Sequence, residues 1–302
     1  GLFPDNTEDL VIQGNIIGPD WKGDPIPSSH QLGGIGFPPI NGPFINTLVG
    51  GTNAGEGNLI AHNKGTGISL VSIYFGPTHV GDPNSISILG NKIFNNDTNS
   101  SYVLSESGLG IDLVSADMMT ATLTSSGPTP NDPTDSDTGP NNYINFPTLN
   151  SVTQDGTTAT INFNLDAADS PTDQYRVEFF ANDQADPSGY GEGQTFLGFA
   201  TVSNGDNQQT SFTLPNNINL TGKSISATTT AIDNTTSSGF GSTSEFSQIR
   251  LASVVTEPGT SQDEGLAGTG ENVRMILIFA TTLLTAGVPA VVGFRKKAGS
   301  SR

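Results

Sequence analysis

The chain has 302 residues, 29 Asp and Glu against 11 Lys and Arg, and no cysteine. Five of the 11 bases (Arg274, Arg295, Lys296, Lys297 and Arg302) lie beyond Gly270, so the part before it is more acidic than the whole. Such a surface repels nucleic acid and other polyanions, and zero cysteines exclude disulfide staples, thiol catalysis and thiolate metal sites. With 37 Gly, 19 Pro and 13% charged residues, the composition predicts a turn-rich, all-β protein.

Residues 1–126 carry recurring phrases. Gly14-Asn15-Ile16-Ile17 returns as Gly57-Asn58-Leu59-Ile60 and as Gly90-Asn91-Lys92-Ile93. Gly65-Thr66-Gly67-Ile68-Ser69-Leu70 returns as Gly108-Leu109-Gly110-Ile111-Asp112-Leu113. Uneven offsets predict rungs joined by loops of variable length, each too thin to bury its own apolar residues. Asparagines at equivalent corners are expected to form a ladder. These phrases, with Val49-Gly50-Gly51-Thr52-Asn53-Ala54-Gly55-Glu56, resemble the right-handed parallel β-helix repeats of large bacterial surface proteins, of pectate-lyase-like fold. The start at Gly1, without initiator Met or signal peptide, is read as the C-terminal rungs of a longer precursor.

Residues 127–145 form an acidic loop or linker. Asp132, Asp135 and Asp137 precede Gly139 and Asn141, with alternate carboxylates of the kind that hold Ca²⁺. No Glu closes an EF-hand, and Asp and Asn also favour plain turns, so a solvated linker is the competing reading.

From 146 to 250 the pattern alternates, as in Ala159–Leu165, Tyr175–Phe180, Thr195–Val202 and Ser224–Ile232. About seven strands between turn signals predict an immunoglobulin-like sandwich. The glycine-rich stretch from Asp183 to Gln194 reads as a loop carrying Tyr190, and Trp21 is expected to cover a loop. His30, His62 and His79 are scattered without metal-site spacing. Asp112, an acid inside an apolar phrase, is expected to make a structural hydrogen bond.

Residues 251–265 are polar and read as a flexible spacer. Residues 266–302 contain Leu266-Ala267-Gly268-Thr269-Gly270, an uncharged apolar run from Met275 to Phe294, and Arg295-Lys296-Lys297. As a transmembrane helix, 275–294 would span roughly 30 Å, with the three cations held on the cytoplasmic side. The arrangement resembles the sorting signal of sortase-anchored, LPxTG-type Gram-positive surface proteins in its LAxTG variant. Leu266, Thr269 and Gly270 match that pattern, while Ala267 replaces the usual proline. The resemblance implies cleavage by sortase between Thr269 and Gly270, covalent linkage to peptidoglycan, a transient membrane hold before processing, and an extracellular stalk or adhesin with a surface or glycan receptor. A wall-tethered polysaccharide lyase or glycoside hydrolase of the β-helix class is the alternative. The repeats offer only Lys22, Lys64 and Lys92 as bases, which favours a non-catalytic role.

Overall fold

A computed structural model describes residues 2–4, 7–26, 33–40, 42, 44–97, 108–120, 122–123, 127–215 and 218–255. These residues are all-β, with parallel sheets in the first half, and belong to one compact unit, Gly1–Glu257.

The repeats fold into short strands: β1 Val11–Ile12, β2 Ile16–Ile17, β3 Ile35–Phe37, β4 Thr47–Gly50, β5 Leu59–Ala61, β6 Ile68–Phe75, β7 Thr78–Gly81, β8 Ile86–Leu89, β9 Lys92–Phe94, β10 Ile111–Asp117 and β11 Thr122–Leu123. Parallel pairing runs β1-β4-β8, β2-β5-β9 and β3-β6-β10, so the path visits three sheets in turn and repeats the circuit. Register makes the columns: Ile12 on Val49 on Ile88, Ile17 on Ile60 on Ile93, and Ile35 on Ile68 on Ile111. All but Ile17 are buried. Each residue alone would leave its side chain wet, and stacking turns three such sets into one core.

The corner asparagines do form ladders. Asn58 Oδ1 accepts from the Asn15 backbone at 2.9 Å, and Asn91 Oδ1 accepts from the Asn58 backbone and from Asn58 Nδ2, both at 2.9 Å. A second, at the next bend, has Asn63 Nδ2 donating to Asn96 Oδ1 at 2.8 Å.

The second half contains β12 Thr148–Asp155, β13 Thr158–Leu165, β14 Tyr175–Asn182, β15 Thr195–Val202, β16 Gly205–Thr213, β17 Ser224–Ile232, β18 Phe240–Thr243, β19 Arg250–Leu251 and β20 Ser253–Val255. They make two sheets, β16-β13-β12-β20 and β15-β14-β17-β18, with β19 also on β17. Ala159, Ile161, Phe163 and Leu165 of β13 alternate into the core between them, facing Tyr175, Val177, Phe179 and Ala181 of β14. The first residues of the stretch expected as a spacer, 251–265, are mostly strand instead. Leu251 belongs to β19, and Ser253–Val255 pair in parallel with β12, adding an outer strand to the sheet. Residues 256–302, including the sorting motif Leu266–Gly270, the apolar run and Arg295–Lys297, lie outside the described residues. Among the described residues, no helix is long and apolar enough to cross a membrane.

Candidate functional site

β14 and β17 explain how the two halves join. Their odd-numbered residues face the sandwich core, yet every residue of β14 is buried. The even face, which includes Glu178 and Phe180 on β14 and Thr228 on β17, lies against the last circuit of the coil. A parallel sheet ending in mid-air exposes a row of backbone donors and an open apolar core. Both are covered here.

On β8, outward N–H groups recur at every second residue, and each meets an oxygen from the second half. Ile86 donates to Asn141 Oδ1 at 3.0 Å, Ile88 to Thr243 Oγ1 at 2.8 Å, and Gly90, just past the strand, to Glu178 Oε2 at 2.9 Å. Beside β9, Ile93 exchanges two backbone bonds with Gly193, while Asn95 and Asn96 donate to Glu192 Oε2 and Oε1 at 2.6 and 3.2 Å. On β10, Leu113 donates to Glu245 Oε1 at 2.8 Å. One glutamate thus serves each of the three sheets. A carboxyl oxygen caps backbone donors at each wall, and Phe180 and Phe246, with ring centroids 5.5 Å apart, close the coil's apolar end. Gly193 must lack a side chain, since a Cβ there would stand 2.8 Å from the Phe246 ring.

Burial of three carboxylates carries a cost. Burial pushes Glu178 up from its ordinary value, although Arg176 lies 2.8 Å away and pulls it down. Burial raises Glu192 to about 7 against the donors at Asn96 and Asn95. Glu245 is raised well above the usual carboxylate range by burial and then by the charge of buried Asp112. Asp112 therefore sits in this seam, opposite an acid rather than a base.

The predicted acidic cluster is partly assembled. Asp132, Asp135 and Asp137 bring carboxylate oxygens within 4.8 Å of one another. Asp132 accepts from the Ser136 backbone at 3.1 Å and from its hydroxyl at 2.7 Å; Asp135 accepts from the Asn145 and Ala168 backbones at 2.9 and 2.6 Å. Burial, then the charges of Asp137 and Asp132, raise Asp135 to about 6. Asp137 Oδ1 is buried without a hydrogen-bond donor among the described residues. By donor type the trio suits a hard cation such as Ca²⁺. Asn141 does not join it. That residue stands in a left-handed turn with Asn142 and Tyr143 (φ of 46°, 54° and 51°), and its carboxamide brackets the Ile86 backbone, with Nδ2 also donating to Thr243 O at 2.9 Å. Its role is to seal the β8 edge. The 127–145 segment is the ordered-loop alternative: Asn145 Nδ2 donates to Asp132 O and Asp166 O, and Asn131 Nδ2 to Phe146 O.

The remaining sequence candidates are dispersed. Trp21 is 79% exposed and covers no loop; Lys22 Nζ lies 5.2 Å from its ring. His62 packs edge-on against Phe94, and His79 stacks on Tyr74 with Nε2 2.9 Å from Asp82. His30 is outside the described residues.

Two surface clefts flank the second half. A cleft of about 500 Å³ is lined by Asp97, Asp186 and Glu192 with Asn95, Asn96 and Gln184. Another, of about 280 Å³, is lined by Phe146, Thr148, Tyr190, Gln248 and Arg250 among others, and by no acid. Sequence reasoning singled out Tyr190 for its glycine neighbours but had no signal for its partners, which come from three distant segments.

A scan against protein-family models and a search of curated proteins each found no match.

Proposed function

We propose that this is an extracellular surface protein, displayed as a stalk or adhesin and anchored to peptidoglycan by a sortase. In this reading the first half is a right-handed parallel β-helix of pectate-lyase-like fold, and the second an immunoglobulin-like sandwich. Residues 275–294 form a temporary transmembrane helix. The observation that carries the proposal is the order of three features: Leu266-Ala267-Gly268-Thr269-Gly270, the run of apolar residues Met275–Phe294, and Arg295-Lys296-Lys297. The run is long enough to hold the chain in a bilayer, and the cations orient it. While it is held there, the sortase thiolate attacks the Thr269 carbonyl, the Thr269–Gly270 bond breaks, and an amine of the wall precursor takes the acyl group.

A non-catalytic role is supported by what the buried acids do. Glu178, Glu192 and Glu245 are spent on backbone amides of the coil, an occupation that suits load-bearing rather than proton transfer. Fractionation of producing cells tests the anchoring. The wild-type chain is expected in the wall fraction, released by a muralytic enzyme, and Thr269→Ala in the membrane fraction. Equal recovery of both forms by detergent alone would overturn the proposal.

A further inference from the structure

We propose that the smaller cleft is a binding site for a carboxylate-bearing pyranose, a uronic acid or a similar acidic sugar unit. The chain has 29 acids, yet none lines this cleft, whereas the larger cleft nearby is lined by three. Arg250, one of only 11 bases, does line it, and its guanidinium has no ion pair among the described residues. In so acidic a protein an exposed, unpaired Arg beside no carboxylate is a local inversion of the surface charge. At physiological ionic strength fields decay over roughly 8 Å, so the ligand's anion responds most to the one charged group that lines the cleft, Arg250.

One wall, Tyr190 with Gln248 and Phe146, is held by contacts within the protein. Tyr190 and Gln248 form a backbone bridge, and Gln248 Nε2 donates to Tyr190 Oη at 3.2 Å, leaving the phenol to donate in turn. The Tyr190 ring packs edge-on to Phe146 with centroids 5.6 Å apart, and the Arg250 backbone pairs with Ile225 of β17. An aromatic body, a hydroxyl at Thr148, a carboxamide and one guanidinium are the groups that hold a sugar's C–H surface, its hydroxyls and its carboxylate. A volume of about 280 Å³ admits one such unit, not a long segment.

This deepens the adhesive reading and rests on it for its biological sense. Binding in solution is nevertheless independent of Thr269, so the fractionation above and the titration below fail separately. Saturation-transfer NMR and calorimetry on the full chain in non-ionic detergent would compare D-glucuronate, its methyl ester, D-glucose, and a neutral tripeptide with a free C-terminus. Glucuronate is expected to bind at least tenfold more tightly than the other three. Arg250→Gln, an exposed substitution, should lose tenfold or more, and Tyr190→Phe threefold or more. Absence of glucuronate binding, equal binding of the ester, or an unchanged Arg250→Gln chain would overturn the proposal. A tripeptide bound as tightly as glucuronate would overturn the sugar assignment.

Discussion

Glu192 lends itself to a quantitative test because its burial has a sign. Its carboxyl is raised from 4.5 to about 7, chiefly by burial. The folded chain therefore holds this proton more tightly than the unfolded chain does. The stabilising contribution is fully present below about pH 4.5 and is lost as pH rises through about 7. Each tenfold gain in proton affinity is worth about 1.4 kcal/mol, so the loss across that window is on the order of 3 kcal/mol. Glu245 is raised as well, and Asp135 is raised to about 6, so both push in the same direction. The lowered acids, Glu56, Asp117 and Asp183, are largely exposed and oppose this weakly. Urea unfolding of the full chain is therefore expected to show greater stability at pH 5 than at pH 8. Glu192→Gln removes the titration and keeps one acceptor, so its difference between the two pH values should shrink by about 2–3 kcal/mol. A wild-type chain as stable at pH 8 as at pH 5, or a Glu192→Gln chain with the same pH difference as wild type, would refute the reasoning.

Other expectations follow from the same junction. Phe246→Ala opens the end of the coil core and should cost about 3–5 kcal/mol, read as a fall in the urea midpoint. Asn91→Ala removes the acceptor for the buried Asn58 amide and the donor to Val49 O, with a loss of roughly 1–3 kcal/mol for each orphaned group, measurable by denaturation. Gly193→Val would drive a side chain into Phe246 and Phe180 and should speed hydrogen exchange at Ile93, Asn95 and Asn96, followed by mass spectrometry. Protected amides in that variant would argue against the seal.

The repeats were legible because physics writes them plainly: an Ile or Val recurs at each wall of each circuit, buried everywhere but at Ile17, and Gly-Asn marks the bend before β2, β5 and β9. Three of the four strands quoted for the second half, Ala159–Leu165, Tyr175–Phe180 and Ser224–Ile232, were legible from apolar residues that largely follow period two. Thr195–Val202 does not alternate and was legible from its run of strand-favouring residues. The junction was not. On β14 the sequence Tyr-Arg-Val-Glu-Phe-Phe-Ala-Asn alternates, and a period-two reading assigns Arg176 and Glu178 to solvent. The coil reaches that face at Glu178, which accepts from Gly90, and Arg176 is buried beside it against Glu178 and the Phe199 ring. Glu192 sits in a glycine-rich loop with no periodicity, and Asn141 carries the same letters as a metal ligand while serving as a strand-edge seal. β16, Gly-Asp-Asn-Gln-Gln-Thr-Ser-Phe-Thr, lacks an apolar face and is recruited by its register with β13. β20 is set by pairing with β12, a contact across a hundred residues that local propensity does not encode.

Wall attachment is tested most directly by the mass of the carboxyl-terminal peptide from protein matured in cells. The account predicts a peptide ending at Thr269, its carbonyl joined to an amine of the wall peptide. A free carboxyl end at Arg302 would contradict it.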